Sequence, residues 1–414
     1  MKNVFVKPTA QNHACMSFGM ARKGGMKSKY LFVLGTMALS AGFCACSSDD
    51  EKEIPEGTAE VTINDNNLDV SSANIGNWTL YAQAVANLLA KDAGDLRQAW
   101  LEDYKGEGAF AETFKAHSKA PYTSAVSCLE QVVDGCIDIA SEVGTAKIGE
   151  PRDLWEKGHY TEAVYAVESW YSFHSIDDYA NNIQSIRNAF NGTRNNTEAA
   201  NSIASYLKKN NPNVYSEAKA RIDAAYNAIK TGMTAPFRSH IGNPTVVAAM
   251  NACAQLVDVL ENQVKTAVNA AKNDAELQPI VEAYVENVVK PTYEDLAQKT
   301  VALRQAVSTL RTQPTTAHFE AAAKAWMAAR TPWETSEAFL FGPVADLGLD
   351  PNMDSWPLDV DAIKEVMSSG KIEDLIKWEG EYDEDNEDIE AVQNVRGFHT
   401  LEFLLFKNGR PRSY

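Results

Sequence analysis

The stretch YTSAVSCLEQVVDGCIDIASEV, residues 122–143, indicates the fold class of the chain. Its apolar side chains recur at three- and four-residue spacings, which is the pattern of an amphipathic helix. Residues 78–90, 245–271 and 280–311 carry the same period, and strand-like alternation is absent beyond about residue 73. We therefore predict an all-α protein of packed helical bundles.

Two segments leave alternatives open within this helical pattern. Pro291 lies inside the period of residues 280–311, so either the helix kinks there or two helices meet. Residues 343–357 form the longest irregular piece, which is either an ordinary connection or the lining of a site.

Composition limits the classes of partner. The 414 residues include 38 basic and 56 acidic side chains, for a formal net charge of −18, so a nucleic-acid partner held by phosphate contacts is excluded. A hydrophobic content of 45% fits a folded chain with a sizeable core. The length suggests two domains or one large domain made of two parts.

The N-terminal segment predicts export. Residues 31–43 are an apolar run too short to span a bilayer, which takes about 20 residues, and typical of a signal peptide. The residues around Cys46 resemble the lipobox of bacterial lipoproteins, which makes Cys46 the predicted lipidation site; an ordinary secretory signal is the alternative. The resemblance implies a Gram-negative envelope protein anchored to the outer membrane, periplasmic or surface-exposed, with residues 47–72 as an acidic tether.

Three cysteines follow the tether, and their spacing argues against a disulfide framework. Cys128 and Cys136 are about 12 Å apart along a helix axis, which is too far for a disulfide. We expect these two and Cys253 to be buried as small apolar side chains.

The most specific motif is GFHTLEFLLF, residues 397–406. His399 and Glu402 share one helix face, so an imidazole and a carboxylate could reach the same metal ion. The alternative is a crowded core in which these polar groups satisfy each other. Gly397 falls inside the predicted helix, where glycine is unfavourable, so we expect another backbone to pack against it.

A second polar cluster precedes this motif. Thr331, Pro332 and Glu334 form a predicted capping box, so Glu334 is either a structural cap or a ligand. Glu337, one turn further, is either a ligand or part of a solvated helix surface. Residues 354–357 have the sequence DSWP. They could equally form a turn that starts a helix, with their polar side chains capping backbone amides.

A third cluster lies between residues 168 and 178. Glu168, Ser172 and Ser175 share one face of a predicted helix, either as a buried hydrogen-bonded layer or as the wall of a site. His174 lies off that face and is expected to be exposed or to cap a helix.

Together these clusters resemble the imelysin family, insulin-cleaving membrane protease-like proteins of the bacterial envelope. The family signature Gly-x-His-x-x-Glu is matched by Gly397, His399 and Glu402, and Arg330 with the run 332–343 matches its N-terminal half. The ES..S..S..D pattern of its C-terminal half is matched by residues 168–178, ahead of the signature instead of after it. The resemblance therefore indicates a circular permutation.

The resemblance implies two packed four-helix bundles with a polar site in the cleft between them. Residues 73–275 would correspond to the family's C-terminal half and residues 276–414 to its N-terminal half. The implied metal ligands are His399, Glu402, Glu337 and Asp354. The implied cleft residues are Gly397, Arg330, Glu334, Ser355, Glu168, Ser169, Ser172 and Asp178.

Three functions follow as expectations. The first is binding or uptake of a metal, iron or another divalent or trivalent ion, together with iron-transport components. The second is metal-dependent peptidase activity, which is disfavoured because a zincin helix needs a glutamate after the first histidine and a second histidine four residues on, and here these are Thr400 and Phe403. The third is a non-catalytic scaffold that binds a protein or a glycan. Whether Arg330 binds an anionic ligand or pairs with a carboxylate is left open.

Overall fold

A computed structural model describes residues 68–271, 273–378 and 380–414. The predicted signal peptide, Cys46 and most of the tether lie outside these residues, so export and lipidation stay predictions. Within the described residues the regular secondary structure is helical except for one isolated bridge and a two-residue antiparallel pair, β1 (Phe406–Lys407) and β2 (Arg410–Pro411). The all-α prediction is confirmed.

The α-helices are α1 (Ile75–Leu101), α2 (Phe110–Lys115), α3 (Ala125–Glu142), α4 (Gly149–Glu156), α5 (Tyr160–Tyr165), α6 (Ser175–Asn191), α7 (Ile203–Asn210), α8 (Pro212–Asn227), α9 (Pro244–Val259), α10 (Thr266–Asn269), α11 (Asp274–Tyr284), α12 (Lys290–Thr312), α13 (Thr316–Glu334), α14 (Pro343–Asp346), α15 (Leu349–Asp354), α16 (Val360–Ser369), α17 (Ile372–Leu375), α18 (Glu387–Gln393) and α19 (Gly397–Leu405). Turns of π-helix span Val143–Lys147, Ala228–Gly232, Leu260–Lys265 and Val285–Val289, and 3-10 turns span Phe237–Ser239 and Glu337–Phe339. None of the described helices is long and apolar enough to cross a membrane.

A π-turn resolves the alternative left open at Pro291. The turn Val285–Val289 joins α11 to α12, and the Lys290 amide donates to the Val285 carbonyl five residues back. The helix therefore passes through the proline without ending, because the hydrogen-bond register shifts just before the residue that has no amide proton.

Helix α19 is held in the core by hydrogen bonds to its backbone carbonyls. The Trp78 indole of α1 donates to the Leu404 carbonyl at 2.8 Å, and the Trp326 indole of α13 donates to the Phe398 carbonyl at 2.9 Å. Helices α1, α13 and α15 all pack against α19, and α12 packs between α1 and α13. The position of α19 is thus fixed by both packing and buried hydrogen bonds.

A second part of the core is built around α3, which packs against α6, α9 and α11. Cys128, Cys136 and Cys253 are free and buried, as expected. Burial raises the pKa of Cys128 and of Cys253 to about 12, so neither is a reactive thiolate at neutral pH. The division at residue 275 and the permuted order of the halves stay predictions.

The predicted capping box at Thr331 is wrong. Helix α13 runs through Thr331 and Pro332 to Glu334, and the Thr331 hydroxyl donates to the Met327 carbonyl at 3.3 Å instead of capping a new helix. A proline in the last turn costs one hydrogen bond without preventing the helix from reaching its end. Glu334 therefore has no capping role.

Two further local expectations are corrected. Residues 343–357 include α14 and α15, so the segment is mostly helical, and Asp354 ends a helix instead of starting one. Residues 166–174 form turns between α5 and α6, with Ser169 and Phe173 at φ of 53° and 65°. The helix predicted for Glu168 to Ser175 is thus interrupted, because the chain reverses there before α6 begins.

Gly397 is the first residue of α19, and not an interior one as predicted. The expected close backbone is present: a Cβ on Gly397 would lie 2.4 Å from the Met353 carbonyl oxygen, and φ is +86°. Glycine is therefore required on two grounds, close approach and a left-handed backbone.

We expect Gly397→Ala to lower the free energy of unfolding by about 3 kcal/mol, combining about 1–2 kcal/mol of backbone strain with a further overpacking cost. Chemical denaturation followed by circular dichroism measures the change. Gly370→Ala is the matched control, because Gly370 has φ of +69° with open space around its Cβ position. Equal losses in the two variants would contradict the close-approach argument.

Candidate functional site

His399 lies at the centre of a buried polar cluster. Its Nε2 is 3.2 Å from Glu168 Oε1 and 3.1 Å from Asp354 Oδ1, and its Nδ1 is 3.2 Å from Glu402 Oε2. The Trp356 ring lies edge-on to the imidazole, with centroids 4.9 Å apart. The cluster therefore joins α19 to the end of α15 and to the turn that precedes α6.

Glu402 lies on the opposite side of the imidazole from the other two carboxylates. Its Oε1 accepts hydrogen bonds from the Ser172 amide at 2.7 Å and from the Ser172 hydroxyl at 2.8 Å. A carboxylate fixed in this way at Nδ1 orients the ring and directs Nε2 toward a ligand. The sequence spacing predicted that His399 and Glu402 could reach the same metal ion. In the structure Glu402 lies at Nδ1, and Glu168 lies at Nε2 of the imidazole.

Arg330 is the principal cation of the cluster and is fully buried. Its guanidinium pairs with Glu168 at 2.9 Å, Asp178 at 3.1 Å, Glu334 at 2.6 Å, and also with Asp354. The alternative left open for Arg330 is thereby resolved, because it pairs with carboxylates of the protein. The Ser169 hydroxyl also donates a hydrogen bond to Asp178, at 2.6 Å.

Two sets of three side chains bring potential ligand atoms within 4.8 Å of one another. The first is Glu168, Asp354 and His399, and the second is Glu334, Glu337 and Asp354. Glu337 lies in the 3-10 turn Glu337–Phe339 and is 4% exposed, so it is not part of a solvated surface. Imidazole nitrogen and carboxylate oxygen suit iron, zinc and other borderline-to-hard cations, and the donor types therefore fit a metal ion.

Neighbouring cations keep two of the carboxyl groups ionised. Burial alone would raise the pKa of Glu168, but Lys147, His399 and Arg330 together hold it well below its usual range. Burial also opposes ionisation of Asp354, and its net pKa is lowered by Arg330 and His399.

Burial favours the protonated form of other members of the cluster. Burial raises the pKa of Glu334 and of Glu337 well above the usual range, and it raises that of Asp178 despite the nearby Arg330. Burial and Arg330 disfavour the imidazolium of His399, but Asp354 and Glu168 reverse this and raise its pKa well above the usual value.

The structure brings together most of the residues named from the sequence, but not all. Ser355 points away and its hydroxyl donates to Asn394 at 3.1 Å. Gly397 contributes a close backbone contact and no ligand atom. His174, expected to be exposed or capping, is the N-cap residue of α6, where its carbonyl and not its side chain accepts the hydrogen bonds, and its side chain is largely buried near Asp178. The cluster is buried, so these residues do not line an open cleft.

Three contributors to the cluster were missed. The Lys147 ammonium lies 2.9 Å from Glu168, the Asn182 amide donates to Glu334 at 2.5 Å, and the Trp333 indole donates to Asp354 at 2.6 Å. Lys147 follows Val143 by four residues and so continues the apolar face of residues 122–143. A lysine on an apolar face was the signal available for it.

Comparison with known proteins places the chain in a family. The family model described as Imelysin, a peptidase family, matches residues 58–263 and 289–413. The crystal structure of an imelysin peptidase from Bacteroides ovatus is 48% identical, with a TM-score of 0.82 over 84% of this chain and 99% of that one. Iron-regulated protein A of Synechococcus elongatus is 31% identical over 172 residues, which are 41% of this chain and 39% of that protein. The chain belongs to the imelysin family.

Proposed function

We propose that this protein binds a metal ion, iron in the first instance, through His399, Glu168 and Asp354, as a step in iron uptake. The observation that carries the proposal is an excess of buried carboxyl groups over cationic groups in one cluster. The carboxyl groups are Glu168, Asp178, Glu334, Glu337, Asp354 and Glu402, and the cationic groups are Lys147, Arg330 and His399.

An excess of this kind is costly in a folded protein. A buried carboxylate without a counter-charge is destabilised by several kcal/mol, so it takes up a proton or a cation. Burial raises the pKa of Glu334, Glu337 and Asp178, which favours protons in this role in the metal-free protein. Of the three proposed ligands only His399 has a raised pKa, so a metal ion would take the place of the proton on its imidazolium and bind two carboxylates that are already ionised.

The protein's own residues would prepare the ligands. Glu402, fixed by Ser172, would keep the Nδ1 proton on His399 and leave Nε2 as the donor atom. Arg330 contacts Asp178 and Glu334 as well, so it retains carboxyl oxygens as partners if Glu168 and Asp354 turn to a metal. The bound ion would supply positive charge, and for iron a redox centre. The name of the related cyanobacterial protein supports iron as the first ion to test.

Peptidase activity of the zincin type is disfavoured by the residues of α19. Thr400 and Phe403 occupy the positions of the required glutamate and second histidine. Binding is therefore the better-supported function, and a scaffold that recognises a protein or a glycan is what remains if no metal binds.

We also propose that the protein acts in the cell envelope. Its support is the apolar run 31–43 followed by Cys46, which predicts a lipid anchor in the outer membrane. Iron-transport components of the envelope would then be its partners.

Glu337→Gln tests the protonated carboxyl groups. Above about pH 4.3 an unfolded glutamate loses its proton while buried Glu337 keeps it, so the stability of the metal-free protein falls as pH rises toward the folded pKa. The variant should show a decline shallower by up to about 1.4 kcal/mol per pH unit from pH 5 up to the folded pKa of Glu337. Urea unfolding at each pH measures this, with exposed Glu320→Gln as the control. Equal slopes in wild type and Glu337→Gln would contradict the protonated state.

Metal titration tests the site itself. Calorimetry with Fe(III) citrate, Fe(II), Zn(II) and Cu(II) should show tight binding of at least one ion to the wild type. We expect His399→Gln and Asp354→Asn to abolish it, because each removes a ligand. We expect Ser172→Ala to weaken it about tenfold by loosening Glu402.

His318→Gln, on the first turn of α13, is the control for loss of an imidazole elsewhere. Circular dichroism verifies that each variant is folded. Absence of binding to the wild type, or full binding to folded His399→Gln, would overturn the proposal.

Peptide hydrolysis separates the two metal-dependent functions. We expect the zinc-loaded wild type to cleave casein and insulin B chain no faster than Asp354→Asn, as measured by mass spectrometry of the products. Cleavage by the wild type that disappears in His399→Gln would favour the peptidase instead.

A further inference from the structure

The buried cluster approaches solvent along one line of charged side chains. Exposure of the side chain rises from 0% at His399 to 5% at Glu168, 11% at Lys147 and 31% at Glu142. Each contacts the next: Glu168 Oε1 lies 3.2 Å from His399 Nε2, Lys147 Nζ lies 2.9 Å from Glu168 Oε2, and Glu142 Oε1 lies 3.7 Å from Lys147 Nζ. Carboxylates thus alternate with one lysine between the surface and the imidazole.

A π-turn makes this line possible. Glu142 ends α3, and Lys147 ends the π-turn Val143–Lys147, five residues later. In an uninterrupted α-helix, residues five apart point about 140° away from each other, since each residue turns by about 100°. The wider turn, closed by the Ile148 amide on the Val143 carbonyl at 3.1 Å, brings the Glu142 carboxylate to 3.7 Å from the Lys147 ammonium. Such π-turns are frequent at functional sites.

Lys147 occupies a place that an incoming cation would need. Its ammonium is within hydrogen-bond distance of Glu168, one of the proposed ligands, and the second carboxylate beside it, Glu142, is farther away and more exposed. A metal ion bound to Glu168 would be repelled by a positive charge at this distance, because screening is weak in a buried site. The lysine side chain is flexible and its charge can shift between two carboxylates.

We infer that Lys147 is a built-in counter-ion that gates the metal site, bonding Glu168 in the metal-free protein and turning to Glu142 when a cation enters along Glu142 and Glu168. The inference rests on the proposed metal-binding function and adds the entry route and the residue that controls it. Lys147 is a positioning residue, since it acts through Glu168.

Lys147→Met tests the gate, because methionine retains the apolar stem and removes the charge. The probe is whichever ion of Fe(III) citrate, Fe(II), Zn(II) or Cu(II) binds the wild type. We expect the variant to bind this ion about tenfold or more tightly, since it no longer has to displace an ammonium. Stopped-flow mixing should show faster association.

Lys265→Met is a closely matched control. Lys265 also ends a π-turn, Leu260–Lys265, and its ammonium also lies between two carboxylates, 2.7 Å from Asp134 and 3.6 Å from Glu130. These carboxylates are not part of the buried cluster, so the affinity should stay at the wild-type value.

Glu142→Gln completes a double-mutant cycle. If Lys147 must turn to Glu142, the single variant should bind the metal more weakly, and most of that loss should disappear in the Lys147→Met background. A purely structural role, or a long-range effect of the lost charge, would give the same loss in both backgrounds and would overturn the gate. Unchanged affinity in folded Lys147→Met would also overturn it while leaving the metal site in place. A wild type that binds none of the ions would overturn the proposed function and this inference together.

Discussion

The buried pairing of Arg330 with carboxylates is the interaction on which the rest of the site depends. Removing a guanidinium from water is costly, and the cost is offset only when several acceptors surround it. Glu168, Asp178, Glu334 and Asp354 reach Arg330 from the turn before α6, from α6, from α13 itself and from the end of α15. The arginine therefore ties together segments that are far apart in sequence.

The same pairing explains why His399 can be held in a dry interior. Arg330 and Lys147 keep Glu168 and Asp354 ionised, and these two carboxylates hold the imidazole from its Nε2 side while Glu402 holds Nδ1. The backbone supports this order: Gly397 lets α19 begin against the Met353 carbonyl, one residue before Asp354. The close approach of α15 to α19 is thus part of how the carboxylate meets the imidazole.

Much of this could be predicted from the sequence, because helical periodicity and the motif carry it. The all-α fold follows from apolar spacing, and the meeting of residues 168–178 with His399 and Arg330 follows from the family resemblance. Local conformation was harder to predict from the sequence. The turn that contains Ser169 and Phe173 was predicted to be a helix, and α13 continues through Pro332, where a new helix was expected to begin. In both cases long-range packing determines the backbone conformation, and the pattern of a single sequence carries no information about that packing. The position of Lys147 on an apolar face was visible in the sequence, but its pairing with Glu168 depends on a π-turn that helical periodicity does not predict.

The central claim is that an ion belongs among Glu168, Asp354 and His399. Anomalous diffraction from crystals loaded with iron, recorded on both sides of the iron absorption edge, tests it most directly. We expect a difference peak in contact with His399 Nε2 and with carboxylate oxygens of Glu168 and Asp354, with Lys147 moved from Glu168. An iron peak confined to surface carboxylates, with His399 still bonded to Glu168 and Asp354, would contradict it.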